Sequence, residues 1–183
     1  ENLLRGKPQI FMANHQSDFD VLISQAYIPV QFRWIAKKEL FAIPIFGTAM
    51  KNAGYIEIDR SNHEKALQSL DEAALSIRRG KSIMTFPEET RSRDGEIKDF
   101  KQGAFHLAIS SGVPIIPISI VGSGRIMPKR TLRIKSGQIK MVIGKPIEIT
   151  NYDVERRHEL IEDVRNEIIK NYNEWQDSGK MIL

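Results

Sequence analysis

The chain contains no cysteine among its 183 residues. This absence excludes disulfide bonds, a cysteine nucleophile and thiolate metal ligands, and it fits a reducing compartment. Long apolar runs are also missing, because the most apolar stretch, residues 113–121, is too short to span a bilayer and contains Pro114 and Pro117. The chain opens at Glu1 rather than at a methionine, so we expect that a segment precedes it.

Residues 125–145 contain no acidic side chain but seven lysines and arginines. Such a basic segment suits an anionic partner: lipid headgroups, a phosphorylated substrate, coenzyme A or an acidic carrier protein. The alternative is a solvated surface hairpin that the acid-rich C-terminal helix balances. The segment has no interleaved aromatic residues and no recognition motif, so we do not expect nucleic acid as a partner.

The composition is that of a soluble globular chain, with 41% hydrophobic and 27% charged residues. Its length predicts a single domain over residues 1–183. Strands alternate with helices in the pattern, which predicts an α/β sandwich with a largely parallel, mixed sheet flanked by helices. We predict strands at residues 9–13, 32–36, 54–60, 81–86, 113–121, 131–135 and 138–143, and helices at residues 18–27, 41–50, 61–80, 102–112 and from 153 onwards.

Two of these helices carry specific expectations. In residues 18–27, an apolar side is predicted from Phe19, Leu22, Ile23 and Ala26. In residues 41–50, Pro44 is expected in the first turn, where a helix tolerates proline.

His15 and Asp20 lie in the loop between the first strand and the first helix. A carboxylate that accepts the Nδ1 proton of a histidine leaves Nε2 free to take a proton from a substrate hydroxyl. A structural interpretation is equally open, because Ser17 followed three residues later by Asp20 is also a helix-start pattern.

Three polar loops follow predicted strands, and parallel strands would bring them to one edge of the sheet. Taken singly, the arginines of these loops would be surface ion pairs; taken together, the loops offer a base, cations for a phosphate and groups that bind hydroxyls. The loops contribute His15 and Asp20, then Asp59 and Arg60, then Glu88, Thr90 and Arg91.

Four blocks of the sequence carry a resemblance to a known family. Residues 14–20 match a His-x4-Asp motif, and residues 54–60, 86–92 and 113–117 match the second, third and fourth blocks in the same order. The chain therefore resembles the glycerolipid acyltransferase family, in particular the bacterial 1-acyl-glycerol-3-phosphate acyltransferases of the PlsC type. The resemblance implies a glycerol-3-phosphate acyltransferase-like fold.

The reaction that the resemblance implies is transfer of a fatty acyl group from acyl-CoA or acyl-carrier protein to the 2-hydroxyl of lysophosphatidic acid, which forms phosphatidic acid. It implies no cofactor beyond the acyl donor and no metal. It also implies phospholipid biosynthesis at an anionic membrane surface, on the cytoplasmic face of a bacterial inner membrane, with a membrane-associating segment before Glu1.

The resemblance also implies roles for the site residues. His15 would be the general base and Asp20 its orienting partner, while the phosphate of the acceptor would lie on two arginines. Lys37 could assist or be a surface lysine whose stem covers apolar surface, and residues 41–50 could form either a core helix or the wall of an acyl groove. The substrate-binding residues are then Lys37, Arg60, Glu88, Thr90 and Arg91.

One position departs from the family pattern, because Glu89 stands where the third block usually has glycine. If that glycine provides a positive φ angle, Glu89 changes the shape of the loop or the acceptor preference. Alternatives to the proposed reaction are an acyltransferase for glycerol-3-phosphate or another lysolipid, and a non-catalytic phospholipid-binding module. A serine hydrolase is disfavoured, because no serine lies in a nucleophile elbow.

Overall fold

The computed structural model describes residues 2–59, 62–92, 94–131 and 133–177. Six strands in these residues form one sheet in the order β3-β2-β4-β1-β5-β6. The strands are β1 (Ile10–Ala13), β2 (Phe32–Lys37), β3 (Ile56–Ile58), β4 (Ser82–Thr85), β5 (Ile115–Val121) and β6 (Lys140–Ile143). All neighbours pair in parallel except β5 and β6, so the predicted mixed, largely parallel sheet is confirmed.

Helices flank the sheet, as predicted. They are α1 (Phe19–Tyr27), α2 (Lys38–Phe41), α3 (Phe46–Asn52), α4 (His63–Arg78), α5 (Gln102–Ser111), α6 (Ser123–Ile126) and α7 (Arg157–Asp177), with a 3₁₀ turn at Ile149–Asn151. Within the described ranges, no helix is both long enough and apolar enough to cross a membrane.

The order of the strands creates a crevice between β1 and β4. β1 connects to β2, which lies beyond β4 in the sheet, and β4 connects to β5, which lies beyond β1. The connections that follow these two adjacent strands therefore run in opposite directions along the sheet. In open α/β sheets, ligands bind at such a point, outside the carboxyl ends of the strands. The loops that follow β1 and β4 are the ones with the His-x4-Asp motif and the third motif.

Apolar side chains pack on both sides of the sheet. One cluster joins alternate strand residues such as Ile10 and Ile83 to α4, α5 and α7, and the other contains Phe11, Met84 and Trp34. The apolar side of α4 is buried, and the helix ends at Arg78, two residues before Gly80, whose φ of +98° is outside the helical region.

The prediction for the apolar side of α1 is wrong. Leu22 is 61% exposed and Ala26 is exposed, whereas the buried residues of this helix are Asp20 and Ser24. The physical reason is that Asp20 turns inward to accept hydrogen bonds from the loop before the helix. This orientation points the apolar residue Leu22 to the surface.

The single helix predicted at residues 41–50 is also wrong, because α2 ends at Phe41 and α3 begins at Phe46. The intervening turn contains Pro44, and Ile45 has a φ of +66°, outside the helical region. This turn exposes 86% of Ile45 and 52% of Phe46. Proline ends the helix here instead of starting it.

A strand predicted at residues 131–135 is not found among the described residues there. These residues are mostly exposed, and the chain becomes a strand only at Lys140, beside β5. The last helix begins at Arg157 rather than at residue 153, because Asp153 Oδ1 accepts a hydrogen bond from Arg156 N in the turn before it. Its predicted apolar side is confirmed by the burial of Val164, Ile168 and Tyr172.

Candidate active site

His15 and Asp20 contact each other as the motif predicts. His15 Nδ1 lies 2.8 Å from Asp20 Oδ2, and the carboxylate is completely buried while 14% of the histidine side chain is exposed. With its Nδ1 proton donated to the carboxylate, the imidazole has Nε2 available for a substrate. The pair therefore has the geometry of a base and its orienting group.

Asp20 also shapes the loop that precedes α1. The same oxygen, Oδ2, accepts hydrogen bonds from Gln16 N at 2.7 Å and Ser17 N at 2.8 Å. Since Asp20 lies in the first turn of α1, its negative charge is at the positive end of the helix dipole. The catalytic and the helix-start interpretations of this stretch thus describe the same carboxylate.

The imidazole of His15 is held from its face by Phe86, which follows β4. The two rings stack with centroids 3.9 Å apart and an interplanar angle of 7°. Phe86 in turn stacks on Trp34 of β2, with centroids 5.4 Å apart. Stacking on Phe86 therefore fixes the plane of the His15 ring, and the contact with Asp20 fixes the rotation of the ring within that plane. The sequence analysis places Phe86 at the end of a predicted strand and in the third motif, and neither assignment indicates its contact with His15.

Glu88 binds the backbone of the loop that contains His15. Its Oε1 accepts a hydrogen bond from His15 N at 2.7 Å, and its Oε2 accepts one from Lys98 N at 3.0 Å. Its side chain is buried, and this burial raises the pKa of the Glu88 carboxyl while the two backbone hydrogen bonds oppose the rise. The expected role of Glu88 towards the glycerol part stays a prediction, and both of its oxygens already bind backbone amides.

The loop after β4 is attached to its surroundings at several further points. Ser92 N donates to His15 O at 2.8 Å, and Gln16 Nε2 donates to Gly95 O and to the hydroxyl of Tyr172 in α7. Arg165, also in α7, donates to Ile97 O at 2.9 Å. The loop that contains His15, the third motif and α7 are thereby joined. No motif in the sequence indicates these contacts, because they depend on which strands are neighbours.

Arg91 and Thr90 lie in the loop after β4. The guanidinium of Arg91 donates through Nη1 to Asp18 Oδ2, three residues after His15. Thr90 is exposed and lines, with Glu88 and Glu89, a cavity of about 560 Å³. The structure thus connects three predicted residues to the loop of His15, namely Asp20, Glu88 and Arg91, whereas no contact of Thr90 with His15 is found among the described residues.

The described part of the second polar loop, Asp59, follows β3, which β2 and β4 separate from β1 in the sheet. Asp59 after β3 instead contacts Lys38 Nζ at 3.0 Å, and this carboxylate raises the pKa of Lys38. Lys37 ends β2 and is exposed. Arg60, predicted to bind the acceptor phosphate, lies outside the described residues. The roles of Lys37 and Arg60 stay predictions.

Glu89 adopts the backbone conformation that the glycine in the family pattern would favour. Its φ is +60°, in the left-handed region that costs a residue with a side chain about 1 kcal/mol or more. Glu89 N donates to Phe86 O at 3.0 Å, which closes a turn. Glu89 in place of glycine therefore keeps the shape of the turn but introduces backbone strain. Its side chain also lines two cavities.

A second histidine does not form a hydrolase triad. His106 lies near Ser110 and Asp71, but both oxygens approach the same nitrogen, Nε2, at 3.5 Å. A relay needs the base on one ring nitrogen and the carboxylate on the other. Among the residues described, no group of three or more His, Asp or Glu side chains is placed to hold a metal ion.

Comparison with known proteins adds a family to this geometry. Residues 1–121 match the family model described as Acyltransferase. A chloroplastic 1-acyl-sn-glycerol-3-phosphate acyltransferase of Brassica napus is 33% identical over 167 residues, which are 91% of this chain and 47% of that protein. The 1-acyl-sn-glycerol-3-phosphate acyltransferase of Escherichia coli is 32% identical over 180 residues, which are 94% of this chain and 73% of that protein.

A solved structure shares the fold. The crystal structure of the 1-acyl-sn-glycerophosphate acyltransferase PlsC from Thermotoga maritima matches with a TM-score of 0.83 and 27% identity, covering 96% of this chain and 69% of that one. The chain spans about half the length of the plant relatives that it matches.

Proposed function

The chain belongs to the acyltransferase family, and we propose that it transfers a fatty acyl group from an acyl-CoA or acyl-carrier-protein thioester to the 2-hydroxyl of 1-acyl-glycerol-3-phosphate. The product is phosphatidic acid. The acceptor is supported by the names of the relatives, which are 1-acyl-sn-glycerol-3-phosphate acyltransferases in plants and bacteria. The observation that carries the chemistry is the buried contact of 2.8 Å between His15 Nδ1 and Asp20 Oδ2.

In the proposed mechanism, His15 Nε2 takes the proton of the 2-hydroxyl as the oxygen attacks the carbonyl carbon of the thioester. The C–O bond forms, the C–S bond breaks, and the thiolate leaves with the proton from the imidazolium. Asp20 keeps the Nδ1 proton in place and stabilises the imidazolium while it exists. Attack is direct, without an acyl-enzyme, which agrees with a chain that has no cysteine.

The acceptor phosphate would lie on Arg91, with the predicted help of Arg60 and Lys37. Guanidinium groups bind phosphate through two parallel hydrogen bonds, which orients the acceptor as well as attracting it. Thr90 would orient the glycerol part. Glu88 acts on the position of His15 through the backbone, since it accepts the hydrogen bond of His15 N.

We place the enzyme at an anionic membrane surface, on the cytoplasmic face, because the proposed acceptor is a membrane lipid. Exposed apolar side chains support this location: Leu22 and Tyr27 on α1, and Ile45 and Phe46 in the turn before α3. The basic segment at residues 125–145 supports it too, because most of its described residues between 133 and 140 are exposed.

The test is an assay of acyl transfer in detergent, with long-chain acyl-CoA or acyl-carrier protein as donor. Lysophosphatidic acid, glycerol-3-phosphate and no acceptor are run side by side for the wild type, His15→Ala and the control His106→Ala. Phosphatidic acid formed by the wild type and His106→Ala, with turnover at least about 100-fold lower in His15→Ala, supports the proposal. Full activity in His15→Ala, or product only with another acceptor, contradicts it.

A further inference from the structure

Asp18 has a contact that neither the motif nor the proposed chemistry requires, namely the ion pair of its Oδ2 with Arg91 Nη1. We propose that Asp18 is an internal competitor for the acceptor phosphate: its carboxylate holds Arg91 until a phosphate replaces it. This inference rests on the proposed function, because it takes Arg91 as the group that binds the phosphate. It assigns to Asp18 a role in setting the affinity for phosphorylated acceptor and product.

The two partners of the ion pair differ in how firmly they are held. The side chain of Asp18 is 63% exposed, whereas that of Arg91 is 26% exposed. The backbone at Arg91 is also anchored, because its carbonyl accepts a hydrogen bond from Lys129 Nζ at 2.7 Å and the next amide, Ser92 N, donates to His15 O. The carboxylate can therefore move into water while the guanidinium stays beside the catalytic loop.

Asp18 is also not needed for the helix that follows it. It precedes α1 at the N-cap position, where aspartate usually accepts a backbone N–H, but its side chain makes no such bond. Ser17 Oγ accepts from Phe19 N instead, and Asp20 Oδ2 binds the amides of Gln16 and Ser17. The carboxylate of Asp18 is thus directed to Arg91 rather than to α1.

Charge decides the direction of the exchange. A phosphate monoester carries between one and two negative charges and three acceptor oxygens, whereas the carboxylate carries one charge and two oxygens. Phosphate therefore displaces Asp18 from Arg91, but has to compete with it. The phosphatidic acid product has the same phosphate as the acceptor, so Asp18 weakens the binding of both and favours release of the product.

The kinetic test uses Asp18→Asn, which keeps the size of the side chain and removes its charge. At saturating acyl donor we expect KM for 1-acyl-glycerol-3-phosphate and the inhibition constant of phosphatidic acid to fall together by about threefold to fivefold, the size of an exposed ion pair. KM for the neutral acceptor monoacylglycerol should not fall. An unchanged KM, or an equal fall for both acceptors, overturns the inference.

Two controls isolate the contact. Glu72→Gln removes an exposed carboxylate from α4 and should leave the KM values unchanged, which excludes a general effect of net charge. In an Arg91→Ala background, Asp18→Asn should no longer lower KM, because the pair is already broken. A fall in KM that persists without Arg91 overturns the inference.

Calorimetric binding of glycerol-3-phosphate separates this inference from the proposed reaction, because it needs no turnover. Tighter binding by Asp18→Asn that depends on Arg91 supports the competitor role even if no acyl transfer is detected. Acyl transfer by the wild type with no change in phosphate binding by Asp18→Asn overturns the competitor role and leaves the reaction standing.

Discussion

Asp20 uses one oxygen for three hydrogen bonds, so its replacement tests how much of catalysis depends on a negative charge behind His15. We predict that Asp20→Asn lowers kcat by about 100-fold or more, because a neutral amide neither fixes the Nδ1 proton nor stabilises the imidazolium. The measurement is steady-state acyl transfer at matched folded concentration. In the double variant His15→Ala/Asp20→Asn the second change should cost little, because Asp20 acts through His15. Fully multiplicative losses would contradict that dependence.

Glu89 offers a separate test at a single backbone position. Glu89→Gly and Glu89→Ala both remove the carboxylate, but only glycine adopts a φ of +60° without strain. We predict that the glycine variant is more stable than the alanine variant by about 0.5–1 kcal/mol in urea unfolding, after the extra entropy of unfolded glycine is included. Equal stability of the two variants would show that the turn relaxes when the side chain is shortened.

Local sequence predicted the part of the site that lies within one loop. His15 and Asp20 are five residues apart, and the strand before them and the helix after them fix their separation. The stacking of Phe86 on His15 and the hydrogen bond of His15 N to Glu88 depend instead on β4 lying next to β1. No local pattern contains the order of strands, so these contacts could not be predicted.

At the scale of elements, the buried side of α4 agrees with the apolar pattern of the sequence, while Ser61, the first residue of the capping-box pattern Ser61-Asn62-His63-Glu64, lies outside the described residues. Asn62 is its N-cap, and Asn62 Oδ1 accepts a hydrogen bond from Glu64 N at 2.7 Å. We predict that Asn62→Ala lowers the free energy of unfolding by about 1 kcal/mol. Ser69→Ala is the control, since it removes an exposed hydrogen bond to Lys65 O inside the same helix and should change stability little. Similar losses in both variants would argue against a specific effect of the cap.

Two of the wrongly predicted elements, α1 and the helix at residues 41–50, show where the apolar pattern is not sufficient. Periodicity assumes that the apolar side of a helix faces the core, but in α1 the hydrogen bonds of Asp20 decide the orientation, and Leu22 is exposed as a result. Composition joined residues 41–50 into one helix, but Pro44 and the positive φ of Ile45 divide it. In the first place the hydrogen bonds of a buried carboxylate, and in the second the backbone conformation of a turn, determine the structure more than the apolar pattern does.

At the scale of the whole molecule, Tyr152 makes the free energy of unfolding depend on pH in the alkaline range. Its hydroxyl donates a hydrogen bond of 2.5 Å to Asp163 in α7, and this contact raises the pKa of Tyr152 from about 10 to about 12. Because the pKa is higher in the folded protein, the stabilisation is complete below about pH 10 and is lost as the pH rises through about 12. We predict a fall in the free energy of unfolding over this range.

The measurement is urea unfolding at a series of alkaline pH values, together with ultraviolet titration of the tyrosines. In Tyr152→Phe, the decrease in the free energy of unfolding at alkaline pH should be smaller by the part that this tyrosine causes. The ultraviolet titration of the variant should lack one tyrosine of high pKa. If the variant loses stability with the same pH dependence as the wild type, the contact with Asp163 has no role in it.

The position of β1 in the sheet has a consequence for how the protein is made. β1 is synthesised before both of its neighbours, β4 and β5, and Glu88, which binds the backbone of His15, is synthesised 73 residues after His15. Until β4 and β5 have been synthesised, the apolar strand Ile10–Ala13 has no strand to pair with and is exposed to chaperones and to other nascent chains. His15 therefore leaves the ribosome well before the residues that hold it in position have been synthesised.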